Sequence, residues 1–439
     1  MPLPSREPRP LLLGETDWRD VHRPFGLLRD DRRRHVWVIG KTGSGKSTLL
    51  ADLVRQDLLS GEGVALFDPH GDLVDQVLSW VPESRTADVL LFAPEDREHP
   101  LSWNVFRAGK RPHADPALFA SQLLATFRAQ WSEFWGPRLE HVLRNGILAV
   151  AAHPQATLLM LYRFFTDPAL RERVVARVED PVVRHFWTTE FPLYGKALQG
   201  EALSPVLNKL GAFLSNPTVR NLVGQERSRV DLRALIDRRG ILLAKLPAGT
   251  LGEDVVRLLG GLLLTGLELA AMERRQSEPA VWIVLDEFQH FVNASIPTLL
   301  AEARKFGVGL VLAHQYLGQL PETVRSAVRG NVGTTLYFRL GAEDAEALAP
   351  DVAPELEPGD LARQAQFRMI VRLLAKGATL PPFTARTFPP VTRPASAEAV
   401  AARIVAASRA RYAADRDAVE QHIRRTFENK NDVSLQGSV

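Results

Sequence analysis

The 439-residue sequence has no cysteine, so disulfides, thiolate catalysis and cysteine-built metal sites are excluded. Nor does it have a marked charge imbalance. Lys and Arg total 54 against 51 Asp and Glu, a formal charge of +3. A binder of polyanions with so little net charge must carry its basic surface locally. The 11 histidines are scattered without metal-ligand spacing. Residues 1–10 are polar and Pro-rich, with no apolar signal-peptide core. The most apolar long stretch, 258–272, is too short to span a bilayer, and Glu268 interrupts it, so a buried helix is expected there. These absences fit a reducing, cytoplasmic setting without an integral membrane segment.

What is present reads as a globular protein: 45% hydrophobic and 24% charged residues, on a chain long enough for a sizeable core. Short apolar runs at 35–39, 64–67, 89–92, 241–246, 281–285, 308–313, 334–339 and 367–373 alternate with helical patterns. That alternation predicts a mostly parallel sheet flanked by helices. Several runs are apolar throughout, as strands covered on both faces are. Between 103 and 236 no strand is expected, and 116–130, 138–151, 158–165, 169–178 and 205–214 read as helices. Pro116 and Pro205 suit a first helical position. The reading is an all-α insertion (103–236) within an α/β motor domain (34–102 and 237–388), after an N-terminal segment (1–33). A Pro-rich linker (Pro389, Pro390, Pro394) and a helical C-terminal tail complete the chain at 389–439, the last dozen residues polar and expected to fray.

The strongest local signal is Gly40-Lys41-Thr42-Gly43-Ser44-Gly45-Lys46-Ser47, a full G-x-x-x-x-G-K-[ST] phosphate loop. It follows an apolar strand and opens a helical pattern. Backbone N–H groups would face phosphate oxygens there, and the helix N-terminus adds favourable partial charge. Lys46 would reach the β- and γ-phosphates of ATP, Ser47 would hold Mg²⁺, and Thr48 would lie near the α-phosphate. The second signal is an apolar strand ending in Asp286-Glu287. Alone, such a pair is an ordinary loop opening. Beside a phosphate loop, Asp286 would orient Mg²⁺ and Glu287 would act as general base toward water. Arg128, Trp131, Phe134, Trp135 and Arg138 interleave basic and aromatic residues, a pattern that can stack on single-stranded bases but is more often a packed helical corner.

Further segments extend the pattern: Phe67-Asp68-Pro69-His70-Gly71-Asp72, Leu285-Asp286-Glu287-Phe288-Gln289, Ala301 to Gly307, Leu312-Ala313-His314-Gln315-Tyr316, Gly330 to Thr334, and Phe338-Arg339-Leu340-Gly341. In this order the chain resembles the HerA/FtsK superfamily of ring-forming DNA-pumping ATPases, and most of all the TraG-type coupling proteins of conjugation and type IV secretion. The resemblance implies a RecA-like fold with an all-α domain at the insertion, DNA translocation driven by ATP hydrolysis, and a homohexamer. It implies Gln315 as sensor glutamine and Arg304 as arginine finger, with Arg339 and Arg329 as rivals. Asp68, His70 and Asp72 would sit near the nucleotide. It also raises relaxase, nuclease or secretion-system partners. Double-stranded DNA suits a HerA-like pump of repair or defence; a single strand suits a conjugative one. Coupling proteins of this type usually begin with transmembrane helices, so the likeness supports the motor more than secretion. Two rival functions are a motor for protein cargo and a slow nucleotide switch, the latter disfavoured by Glu287.

Overall fold

The computed structural model describes residues 10–17, 21–110, 115–131, 135–274, 280–293 and 295–428. The chain divides into two compact units, Met1–Phe92 with Leu232–Ala407, and Ala93–Asp231 with Ser408–Val439.

The first unit holds a sheet of eleven strands. In chain order these are β1 Leu11–Thr16, β2 Pro24–Leu27, β3 Val36–Ile39, β4 Gly63–Asp68, β5 Val89–Phe92, β6 Ile241–Lys245, β7 Val281–Leu285, β8 Val308–His314, β9 Thr334–Tyr337, β10 Arg368–Arg372 and, after a small hairpin of β11 Leu374–Ala375 and β12 Ala378–Thr379, β13 Phe383–Arg386. The spatial order is β2-β1-β13-β10-β9-β3-β8-β7-β4-β6-β5. From β9 to β5 every neighbouring pair is parallel. From β2 to β9 every pair is antiparallel.

The parallel strands are buried along nearly their whole length because helices cover both faces. All eight expected strands are present. The sequence reading did not foresee β1, β2, β13 or the small hairpin. Pro24 and Gly26 in β2, and Gly14 in β1, look like turn residues. They are tolerated because β2 is an edge strand, and because a Cβ at Gly14 would collide with the Arg386 carbonyl of β13. The apolar helix Glu253–Met272 is mostly buried within this unit.

One ion pair ties the N-terminal segment to the helix that follows the phosphate loop, Lys46–Leu59. Arg32 grips Asp57 with two hydrogen bonds of 2.5 and 2.7 Å, and its guanidinium lies 3.9 Å over the Trp282 ring of β7. Both side chains are buried. The planar fork of arginine suits this bidentate, stacked geometry.

The second unit is helical, with no strand among its described residues. The helix Pro116–Gln130 starts with Pro116 in its first turn, and the Asp115 side chain accepts from the Ala117 N–H. Pro205 departs from expectation. It lies inside the helix Lys196–Ser215 and starts nothing. An interior proline removes one backbone bond, at a cost of about 3 kcal/mol. Burial of Ala202, Val206, Leu210, Phe213 and Leu214 on the same helix offsets it.

The C-terminal region forms two helices, Ala397–Tyr412 and Arg416–Glu428. Val400 and Ile404 of the first join the core of the sheet unit. The second is fastened within the helical unit by Arg416 to Glu98 (2.8 Å) and His422 to Glu226 (3.3 Å). Residues 429–439, expected to fray, lie outside the described residues.

The Arg32–Asp57 pair yields a test. Arg32→Ala leaves a carboxylate buried without its cation, and should cost about 3–5 kcal/mol in urea unfolding. A loss under about 1 kcal/mol would match an exposed pair and contradict the burial.

Candidate nucleotide and catalytic site

Strand register brings the site together. In parallel pairing Ile39 sits opposite His314, and Leu285 opposite Leu312. Thus β3, β8 and β7 deliver the phosphate loop, Gln315 and Asp286-Glu287 to the same carboxyl edge of the sheet. This is where open α/β sheets bind ligands.

The loop leaves β3 at Gly40, whose N–H donates to the His314 carbonyl (3.2 Å). Lys41 N–H donates to the Arg339 carbonyl (2.8 Å). Gly45, at φ 115°, turns the chain into the helix Lys46–Leu59, a conformation that favours glycine. The Lys46 ammonium donates to the Gly40 carbonyl (2.6 Å) and stands 4.0 Å from Glu287 Oε1. Burial lowers the Lys46 pKa, while Glu287 and Asp286 oppose that shift.

Glu287 has a left-handed backbone, φ 45° and ψ 54°. Its carboxylate is held from both sides. Gln315 Nε2 donates to Oε1 (3.0 Å) and Gln289 Nε2 donates to Oε2 (2.9 Å). Ser47 Oγ donates to Asp286 Oδ2 at 3.4 Å. A hydroxyl and a carboxylate so close are hard oxygen donors. They fit Mg²⁺, which takes few protein oxygens and completes its shell with water and phosphate. Burial, Glu287 and Asp68 push Asp286 up to about 7, against the pull of Lys46.

Asp68 ends β4, next to β7. It is buried, and its carboxylate accepts from the His70 and Val74 N–H groups (2.8 and 3.0 Å). It therefore shapes its loop. His70 and Asp72 are exposed.

The three candidate arginines separate. Arg304 is exposed, just before the start of β8, with no ion pair among the described residues. The seven residues of β8 put it roughly 20 Å from Gln315, at the opposite sheet edge. Arg329 pairs with Asp351 at 3.0 Å. Arg339 is exposed beside the chain's own phosphate loop.

The basic–aromatic patch of the helical unit is largely a packed corner. Trp131 is buried and stacks on Phe127 at 4.8 Å. Trp135 Nε1 donates to Glu140 (2.8 Å), which Arg128 and Arg144 also approach. Arg138 approaches Glu201 at 3.8 Å. Phe134 lies outside the described residues.

Sequence reasoning gave no role to several residues around the site. Gln289 is one. Gln319 Oε1 accepts from the N–H groups of Gln315 and Tyr316 (3.1 and 3.2 Å), and Asp344 accepts from Leu317 N–H (3.3 Å). His314 is buried, neutral and pushed down to about 3 by desolvation. It stacks on Trp37 and its Nδ1 meets the Tyr316 carbonyl at 3.1 Å. For Gln289 and His314 the only signal was their place within segments that carry the family resemblance.

Fold and site together define a RecA-like P-loop domain carrying an all-α unit. Within that class the chain belongs to the family of type IV secretion-system coupling protein DNA-binding domains. Residues 25–179 and 257–349, more than half the chain, match that family. The chain is 23% identical over 365 residues to the type 4 coupling protein DotL of Legionella pneumophila. The match takes in 68% of this chain but 46% of DotL, so the chain spans about half of that relative's length. In fold it is similar to the bacterial conjugative coupling protein TrwBdeltaN70, with TM-score 0.63, 16% identity, and 85% and 88% of the two chains covered. TrwB in complex with ADP and Mg²⁺ matches at 0.63 and 16%, covering 88% and 92%. VirB4 of Thermoanaerobacter pseudethanolicus matches at 0.58 and 16%, covering 87% and 96%.

Asp286 sets a pH dependence. Its folded pKa, about 7, lies above its ordinary 3.8, so the native state holds the extra proton in between. Stability therefore falls as pH rises across that window. Asp286→Asn should raise the melting temperature of the nucleotide-free protein by several degrees at pH 8 and hardly at all at pH 5. Equal shifts at both pH values would trace the effect to packing and not to charge.

Proposed function

We propose that the chain is an ATPase whose turnover drives DNA translocation within a homohexameric ring. The observation that carries the chemistry is the Glu287 carboxylate, clasped by the amides of Gln315 and Gln289 and set 4.0 Å from Lys46. A regulatory nucleotide switch needs no such positioned base.

In this reading the loop backbone from Gly40 to Ser47 cradles the phosphates, with Thr48 near the α-phosphate, and Lys46 moves from the Gly40 carbonyl onto β- and γ-oxygens. Ser47 and Asp286 hold Mg²⁺, which when bound neutralises charge on the phosphate oxygens. Glu287 accepts the proton of the attacking water. Gln315 shares its amide between Glu287 and the γ-phosphate, so nucleotide occupancy loosens one side of the clasp. Its aim depends on Gln319 and Asp344, which pin the turn after β8.

DNA as the moved substrate is supported by family membership. With a net charge of +3, grip must come from a few phosphate contacts per subunit repeated around the ring. The ring itself is supported by Arg304, an exposed arginine on the sheet edge away from its own phosphate loop. It suits the ATP of a neighbouring subunit. Relaxase, nuclease or secretion-system partners, and the pathway served, belong to the same proposal.

The test is ATPase rate with and without single- and double-stranded DNA. Wild type should be stimulated by DNA, with the gain shrinking as salt rises. Glu287→Gln should bind ATP but hydrolyse it at least about 100-fold more slowly. Near-normal turnover in Glu287→Gln would remove Glu287 as base. No stimulation by any DNA would favour protein cargo.

Arg304 has its own test. Arg304→Ala should bind ATP and turn over poorly, by roughly 10³-fold or more. Mixed with Lys46→Ala protein it should regain some activity, because an intact arginine then faces an intact phosphate loop across an interface. Absence of recovery in demonstrably mixed rings would turn attention to Arg339.

A further inference from the structure

Phe367 stands just before β10, on the side of the phosphate loop away from Glu287 and Gln315. Its backbone is left-handed, φ 65°. Such a conformation is rare for a bulky side chain and marks a position that the surroundings dictate. Two hydrogen bonds dictate it here. Phe367 N–H donates to the carbonyl of Ser44 within the phosphate loop (2.8 Å), and the Phe367 carbonyl accepts from Thr387 N–H (2.9 Å). The ring lies against the loop itself. A Cβ built on Gly45 would meet Phe367 Cδ1 at 2.9 Å and its Cα at 3.2 Å. Yet Phe367 is only half-buried, whereas the neighbouring Phe338 is fully buried. An aromatic ring is thus held in a strained backbone, pressed on the phosphate loop and left partly open.

Topology says what such a ring can meet. β3 lies between β8 and β9. Outside the phosphate loop and its Lys46, the groups that address a γ-phosphate, Glu287 and Gln315, both come from the β7 and β8 side. A triphosphate chain seated on the loop with its γ end there must lead its nucleoside the other way, toward β9 and β10. Phe367 occupies that side. We infer that the Phe367 ring is the platform on which the base of a bound nucleoside triphosphate stacks. The inference rests on the nucleotide reading above. Stacking tolerates any base with a π face, so the platform adds affinity and little choice between adenine and guanine.

The test compares two ligands that share a chain of three phosphoryl groups and differ in the nucleoside, which a non-hydrolysable ATP analogue carries and inorganic tripolyphosphate lacks, each with Mg²⁺. Calorimetry on the full chain gives both affinities. Phe367→Gly relieves the left-handed strain and deletes the ring. It should weaken the ATP analogue by about tenfold and leave tripolyphosphate unchanged. Phe367→Tyr should bind the analogue as wild type does. Phe367→Leu keeps the bulk and loses the π face. It should match the glycine variant, and it serves as the test if that variant melts early. Unchanged analogue affinity in Phe367→Gly and Phe367→Leu overturns the inference. So does an equal loss of both ligands, which would mean that the ring shapes the loop. Wild-type protein that binds neither ligand defeats the nucleotide reading and this inference with it. Wild-type binding of both, untouched by the substitutions, defeats this inference alone.

Discussion

Everything at the site depends on parallel pairing of β3, β8 and β7 in one register. Because Ile39 faces His314 and Leu312 faces Leu285, three strands far apart in sequence end at one level. A slip by one residue would turn each strand's side chains to the other face. It would also break the bond from Gly40 N–H to the His314 carbonyl, which anchors the loop where it leaves β3. Close packing holds that register, since every residue of β3, β7 and β8 is buried and a slip would mismatch its fit to the side chains around it.

The same burial creates the site's electrostatic problem. Asp68, Asp286 and Glu287 converge at the ends of β4 and β7 with Lys46 as the nearby cation. Desolvated carboxylates are unfavourable unless they are hydrogen-bonded or neutralised. Asp68 is satisfied by two N–H groups of its own loop, and Glu287 by two amides. Asp286 is the least satisfied, accepting one backbone N–H (3.1 Å) and a long hydroxyl contact, and its pKa records that. The charge left uncompensated sits beside Ser47, where a divalent cation would relieve it. Binding energy and native-state instability then share an origin, as is common at functional sites.

Much of this was legible in the sequence, and for physical reasons. A strand buried on both faces must be apolar, so β3, β4, β7 and β8 were visible. The phosphate loop needs its glycines and lysine at fixed spacing. The strands at the other side of the sheet were hidden because Gly14, Pro24 and Gly26 satisfy contacts that exist only in the assembled sheet. Pro205 misled because helix-start statistics ignore the packing of Ala202, Val206 and Leu210 on either side of it. Gln289 and Gln319 are ordinary polar residues in sequence. Their part appears only when the fold brings each amide to one carboxylate or one turn.

Two non-glycine residues flank the phosphate loop in left-handed conformation, Glu287 at φ 45° and Phe367 at φ 65°. Neither pattern nor propensity predicts this, since an ordinary sequence would place glycine or asparagine there. Each departure costs free energy of order 1–3 kcal/mol and persists only where neighbours over-determine it. For Glu287 the neighbours are Gln315, Gln289 and the Asp286 carboxylate, which accepts its N–H. For Phe367 they are Ser44 and Thr387. Glycine would relieve the strain at either position, but it would also remove the side chain that the backbone is bent to aim. The two strained positions beside the loop thus carry a carboxylate on one side and an aromatic ring on the other, the first clasped by side-chain amides and the second tied to the loop through its own backbone N–H.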